Sequence, residues 1–287
     1  MNNNYTVVIP AYNEENAIEP VVQGLLHAFP KERLEIIVVN DSSTDRTAEA
    51  VKKFPIRLIS NIQNSGYGFS LKQGILAATN EHIIILDADG SYPVAALPAL
   101  ISEYEKGFDM VVGARKGVHY RGSRVKRIGR FFFRILSEFA TGKKIPDINS
   151  GCRVFKKKVV IKFFPTLSSG FSFTTTITLA FMLNAHSVAY LPIEYHKREG
   201  ASKVKYVRDT LRSAQIIIEA IVFYNPVKIF ILCAGIVFTW GILCAALAVA
   251  APWVALLLFL AVAGSIGMVG LGFIAVFLKF MHTSAHE

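Results

Sequence analysis

The sequence is poor in cysteine and tryptophan, with three and two in 287 residues. Cys152 stands in the polar part of the chain and Cys233 and Cys244 in an apolar tail, with no C-x-x-C or Cys/His spacing. That excludes a disulfide framework and a zinc cluster. The histidines are scattered and none lies in H-E-x-x-H, which argues against a zinc hydrolase. There is no Walker A sequence and no G-x-S-x-G elbow. Residues 66–71 fall short of G-x-G-x-x-G because Leu71 stands where the third glycine belongs, so a dinucleotide fingerprint is rejected. The N-terminus lacks the basic and apolar regions of a signal peptide, and the polar part is expected on the cytosolic side.

Charge is missing from two places. Residues 226–287 carry only Lys228, Lys279 and Glu287. Residues 115–162 carry 15 basic side chains against the two acids Glu138 and Asp147. Residues 1–114 lean the other way, with 8 basic and 14 acidic. The net charge of +10 therefore comes from one block that lies far upstream of the tail. A mean hydropathy of +0.40 with 18% charged residues indicates two parts of unlike character and excludes disorder.

In the first 114 residues, apolar β-branched runs at 5–9, 34–39, 56–60, 82–86 and 110–112 alternate with helical patterns at 14–29, 42–53, 67–78 and 94–105. Asn13 is expected to cap the first helix, and Ser42 with Asp45 to form a capping box for the second. Continuous apolar strands between helices predict an α/β fold with a mainly parallel sheet covered on both faces. Polar residues cluster after the strand ends, where open sheets of this kind bind ligands. A weaker helical stretch at 167–183 and a strand at 188–195 follow.

Arg124, Arg127, Arg130 and Arg134 recur among Phe131, Phe132, Phe133, Ile135, Leu136 and Phe139. This is a basic amphipathic helix over 121–140, of the kind that lies on an anionic membrane surface. Three readings stand: a membrane-surface stripe, a site for an anionic lipid headgroup, and a nucleic-acid surface, which the tail and the lack of a recognised motif disfavour. Arginine suits phosphate because its planar fork binds it bidentately. A second amphipathic helix is expected over 205–223. In the tail, residues 229–250 and 253–278 are free of charge. The first would be about 33 Å long, enough for a hydrocarbon core of ~30 Å. Lys228 and Lys279 bracket the pair, so the positive-inside rule puts both ends in the cytosol. The expected domains are 1–203, a juxtamembrane helix at 204–225 and two spans within 226–287.

Asp87-Ala88-Asp89 after a very apolar strand is the sharpest local feature. Carboxylates alternating there can reach one hard cation together with substrate phosphates, or they can simply cap the turn before Gly90 and Pro93. Asp41 follows a strand in the same way, where a helix-start role is the plainer reading. Asn64-Ser65-Gly66-Tyr67-Gly68 could cradle a phosphate.

Read in order, these segments resemble a known family. Residues 7–15 (VVIPAYNEE), 39–45 (VNDSSTD) and Asp87-Ala88-Asp89 are similar to three motifs of family-two glycosyltransferases of the GT-A fold. Residues 111–115 (VVGAR), 147–153 (DINSGCR) and 198–203 (REGASK) resemble those of the polyprenyl-phosphate glycosyltransferases. The resemblance runs from Tyr5 to Lys203, and the two-span tail fits it. It implies transfer of a hexosyl group from a UDP- or GDP-sugar to undecaprenyl or dolichyl monophosphate, with inversion and with Mg²⁺ or Mn²⁺ as cofactor. Pro10, Ala11, Tyr12, Glu14, Asp41, Asn64, Gly66, Asp87, Ala88 and Asp89 would hold the nucleotide-sugar. Asp87, Asp89 and Arg115 would be catalytic, and Asp89 with Ser91 would face the metal. Arg115, Arg127, Arg130, Arg134, Arg153, Arg198, Ser202 and Lys203 would surround the acceptor phosphate. Two departures stand out: Ser91 occupies a place where many relatives carry a metal-binding Gln, and Phe131 one where the family usually has Ser. Transfer to a sugar or lipid hydroxyl, with Q-x-x-R-W, is disfavoured because both tryptophans lie in the tail. A non-catalytic membrane adaptor is disfavoured by the intact aspartates. The implied partners are the donor, the lipid acceptor and the bilayer, not nucleic acid; a homo-oligomer, a flippase and a downstream transferase remain open.

Overall fold

The structure, a computed structural model, describes residues 4–30, 32–121, 124–198, 206–247 and 253–284. The chain divides into two compact units, Met1–Ser213 and Ala214–Glu287.

In the first unit the elements run β1 (Tyr5–Ala11), α1 (Ile18–Ala28), β2 (Leu34–Asn40), α2 (Thr47–Lys52), β3 (Arg57–Ser60), α3 (Tyr67–Ala77) and β4 (His82–Ile85). A 3₁₀ turn (Val94–Ala96) leads to α4 (Leu97–Tyr104), β5 (Met110–Lys116), α5 (Val118–Arg121), α6 (Arg124–Thr141), β6 (Arg153–Lys156), α7 (Lys157–Lys162), α8 (Phe173–Leu183) and β7 (Val188–Glu194). α9 (Tyr206–Tyr224) crosses the unit boundary, and α10 (Pro226–Leu247) and α11 (Trp253–Ser284) complete the second unit.

The seven strands form one sheet in the order β3-β2-β1-β4-β6-β5-β7. The sheet is mainly parallel, as expected: β1 pairs parallel with β2 and β4, β2 with β3, and β5 with β7. β6, which was not foreseen as a strand, runs antiparallel between β4 and β5. Successive strand residues face opposite sides, so β1 sends Val7 and Ile9 into one core and Val8 into the other. The first core packs Ile18, Val22 and Leu25 of α1 with Leu97, Leu100 and Ile101 of α4. The second packs Leu71 and Ile75 of α3 with Phe173, Ile177 and Phe181 of α8. Burial on both faces is why these strands read as continuous apolar runs.

Two capping expectations fail. α1 begins at Ile18, and Asn13 has φ 51°, its side-chain oxygen accepting from the Thr44 N–H at 2.8 Å. The residue is spent joining the β1 and β2 loops. Ser42 has φ 59° and caps nothing, whereas the Asp45 carboxylate accepts from the Thr47 N–H at 3.0 Å at the start of α2.

The second unit has two helices long and apolar enough to cross a membrane, with candidate spans Pro226–Leu243 and Leu256–Val276. The Ser265 hydroxyl in α11 donates to the Ala234 carbonyl in α10 at 2.9 Å.

Candidate active site

The C-terminal ends of β1, β2 and β4 open onto a cavity of about 500 Å³. β6 runs the opposite way, so the 147–152 loop before it arrives at the same edge of the sheet. Of the expected donor-site residues, Pro10, Ala11, Tyr12, Glu14, Asp41, Asn64, Gly66, Asp87, Ala88 and Asp89 all line this cavity.

Asp41 is buried, and both of its carboxylate oxygens are engaged. Oδ1 accepts from Asn61 Nδ2 at 2.8 Å and the Ser65 N–H at 2.9 Å, and Oδ2 from the Gly66 N–H at 2.8 Å. Gly66 reaches that position at φ 101°, a conformation that L side chains rarely adopt. The glycine turn expected to cradle phosphate is therefore wrapped around Asp41.

Asp87 lies under the 147–152 loop. Tyr67, at the start of α3, donates its hydroxyl to Asp87 Oδ1 at 2.8 Å. A side chain on Gly151 would run into the Asp87 carboxylate, so glycine is required there for close approach. Burial, and then the charge of Asp89, push the Asp87 carboxyl up to about 6 against the Tyr67 hydrogen bond and the charges of Arg115 and Arg198. Tyr67 stacks on Phe171 with ring centroids 6.0 Å apart, and Tyr92 accepts from the Gly151 N–H at 2.7 Å.

Asp89 is buried. Its Oδ1 accepts from the Ser91 N–H at 3.0 Å and the Ser91 hydroxyl at 2.5 Å. Ser91 is thus fully buried and turned onto Asp89 rather than aimed into the cavity. Asp89 Oδ2 faces Arg198 Nε at 2.9 Å, and Arg198 Nη2 lies 3.6 Å from Glu14 Oε1. Arg198 was expected on the acceptor side; here it sits on the donor carboxylates. The donor set fits a divalent cation: hard oxygens, two like charges crowded at the cavity wall, and an arginine drawn onto one of them. Among the described residues no third His, Cys, Asp or Glu joins them, so further ligands would come from substrate and water.

The expected phosphate arginines separate. Arg130 lines the cavity with Gly129 and Phe133, its guanidinium 4.4 Å from the centroid of the Tyr120 ring. Arg115 also lines it, between the rings of Tyr120 and Tyr195, and is clamped bidentately by Asp147 (Nε to Oδ2 2.7 Å, Nη2 to Oδ1 2.8 Å). Burial raises the Asp147 carboxyl, but Arg115 outweighs it and holds the group below the usual range. Arg127 and Arg134 are exposed on the outer face of α6. Arg153 is a correction: it is fully buried, donating to the carbonyls of Ser150 (2.8 Å) and Ile148 (2.7 Å) and to Thr178 Oγ1 (2.6 Å). It shapes the loop from within and cannot reach a ligand. Ser202 and Lys203 lie outside the described residues.

The cavity also holds residues to which sequence reasoning assigned no role of their own: Tyr67, within the 64–68 turn, Asn149, within the 147–153 motif, and Phe171, Thr174 and Tyr195. Tyr67 carried a signal, since it opens a helix directly after the Asp41 turn. Thr174 and Phe171 carried none, because only the packing of α8 brings them across.

An open α/β sheet with paired aspartates at one strand end and arginines facing them is suited to ligands that carry phosphate. A profile described as Glycosyl transferase family 2 matches residues 6–164. A dolichyl-phosphate hexose transferase of Haloferax volcanii is 30% identical over 200 residues, 69% of this chain and 85% of that protein. The dolichol-phosphate mannosyltransferase of Pyrococcus furiosus is 30% identical over 168 residues, 54% of this chain and 47% of its own length. An undecaprenyl-phosphate 4-deoxy-4-formamido-L-arabinose transferase of Salmonella paratyphi B is 26% identical over 212 residues, 71% of this chain and 63% of that one. The chain belongs to glycosyl transferase family 2. Its fold is GT-A-like: the crystal structure of glucosyl-3-phosphoglycerate synthase from Mycobacterium tuberculosis with Mn²⁺, UDP and glucosyl-3-phosphoglycerate superposes with a TM-score of 0.63, at 17% identity, over 76% of this chain and 80% of that one.

Proposed function

We propose that this enzyme transfers a hexosyl group from a nucleotide diphosphate sugar to the phosphate of a polyprenyl monophosphate, with inversion, at the cytosolic membrane face. The relatives named for dolichyl- and undecaprenyl-phosphate transfer support the acceptor class. One observation carries the reading. Among the described residues lining the cavity, the carboxylates Glu14, Asp41, Asp87 and Asp89 share the wall with three arginines, Arg115, Arg130 and Arg198, a set suited to holding two phosphate-bearing groups together. A hydroxyl acceptor needs a general base. A phosphate monoester, with its second pKa near ~6, is largely a dianion at neutral pH and needs none.

In the proposed reaction a phosphate oxygen attacks the anomeric carbon as its bond to the diphosphate oxygen breaks, and the nucleoside diphosphate leaves with the bonding electrons. Pro10, Ala11, Tyr12, Glu14 and the Asp41 turn form the nucleotide wall. Asp89, with Asp87 beside it, would hold Mg²⁺ or Mn²⁺, which when bound supplies charge stabilisation to the departing diphosphate. Arg130 and Arg115 offset the repulsion between the two phosphate groups and align them. Residues 1–203 form the catalytic domain, 204–225 a juxtamembrane helix, and the two helices of 226–287 a membrane hairpin.

The test is a panel of UDP- and GDP-hexoses offered to the protein in vesicles with undecaprenyl or dolichyl phosphate. Labelled sugar is expected in the lipid fraction only when polyprenyl phosphate and a divalent cation are both present. Equal transfer to the dephosphorylated polyprenol, or to free sugar, would refute it.

A further inference from the structure

We infer that Arg198 is an internal stand-in for the divalent cation, competing with it for Asp89 Oδ2. The inference rests on the metal-binding reading given above. Asp89 has one oxygen to offer a cation, because Ser91 occupies Oδ1 with both its N–H and its hydroxyl. The other, Oδ2, lies 2.9 Å from Arg198 Nε. That nitrogen is buried, and its N–H is aligned with no described acceptor. The contact is therefore charge against charge rather than a formed hydrogen bond, and less is lost when it is exchanged for a metal–oxygen bond. The guanidinium also spans toward Glu14 Oε1 at 3.6 Å, so one cation serves two carboxylates.

The backbone brings the arginine there. The Tyr195 N–H donates to the Lys116 carbonyl at 3.0 Å, and the His196 N–H to the Ser91 carbonyl at 2.9 Å. The arm that carries Arg198 is thus tied, two residues earlier, to the same serine that orients Asp89. The Arg198 side chain is 30% exposed, against 5% for Asp89, so the arginine has a solvent-side route out and the aspartate does not. Left without a counter-charge, the buried Asp89 beside the half-buried Asp87 would be costly; the arginine offsets that charge until a cation arrives.

The test is Mn²⁺ titration of the full-length protein in detergent without nucleotide, reading free Mn²⁺ by EPR. Arg198→Gln is expected to bind Mn²⁺ roughly tenfold more tightly than wild type, since a competing charge is gone, with Arg198→Lys between the two. Adding Asp89→Asn to Arg198→Gln should abolish the gain. If Arg198→Gln binds no more tightly but Asp89→Asn still removes binding, the stand-in role is overturned and the metal site survives. If Asp89→Asn changes nothing in either background, the metal site fails and the inference with it.

Discussion

Asp87 and Asp89 are two residues apart, yet their surroundings divide them. Asp87 is desolvated under the 147–152 loop and faces the charge of Asp89, so its carboxyl is pushed up to about 6 in spite of the hydrogen bond it accepts from Tyr67. Asp89 is fixed by Ser91 and faced by Arg198. Asp89→Ala is expected to lower kcat by at least about 10³-fold while membrane insertion is unchanged, measured in the vesicle assay. Asp147 makes a different prediction. Its folded-state carboxyl is held low by Arg115, so the stability it contributes is present above the ordinary aspartate value and is lost as pH falls through the lowered one. Asp147→Asn should cost about 3 kcal/mol near neutrality by leaving the largely buried Arg115 without its counter-ion, and should flatten the fall in Tm below about pH 4. Asp87 and Asp89 were legible because they alternate directly after a very apolar strand and stand in order with the other family motifs. Arg153 was misread because an arginine beside a polar loop looks the same in sequence whether it faces a ligand or, as here, the interior.

At the scale of elements, α6 was found by its periodicity but not resolved by it. Its arginines recur at near-helical spacing, yet the structure turns Gly129, Arg130 and Phe133 to the cavity and leaves Arg127, Phe131, Phe132, Arg134 and Ile135 outward. Phe131, Phe132 and Ile135 are 50%, 65% and 46% exposed, a large apolar face for water to cover. A helix with Arg130 inward and apolar rings outward would seat the cavity at a lipid surface. Phe131→Asp with Phe132→Asp should raise the KM for polyprenyl phosphate about tenfold or more and leave the donor KM unchanged. β6 was missed because Arg153–Lys156 is only four residues long and its antiparallel pairing has no local signal. Its consequence is large, since the reversed direction delivers Gly151 to Asp87.

Across the whole molecule, charge and apolarity are segregated by position in the chain. The acidic first 114 residues supply the carboxylate wall, the basic block supplies α6 and Arg115, and the charge-poor tail supplies α10 and α11. If both helices cross a bilayer, the termini share one side. A fluorescent protein fused after Glu287 should fold and fluoresce in the cytosol, whereas an export-dependent reporter at the same place should stay inactive. Activity of the exported reporter would reverse the proposed topology.

By itself the sequence determined the α/β class, the two apolar helices, the pairing of Asp87 with Asp89 and the family resemblance. Each rests on local patterns: alternating apolar runs, window hydropathy and short motifs at strand ends. Only the tertiary structure decided which arginines reach the cavity, that Arg198 faces Asp89, that Ser91 and Asp41 are engaged by their neighbours, and that Arg153 is interior. Those outcomes depend on the reversal of β6, the packing of α8 and the arm after β7. They join residues far apart in sequence, and burial and partner, rather than residue type, decide what a charged side chain does there.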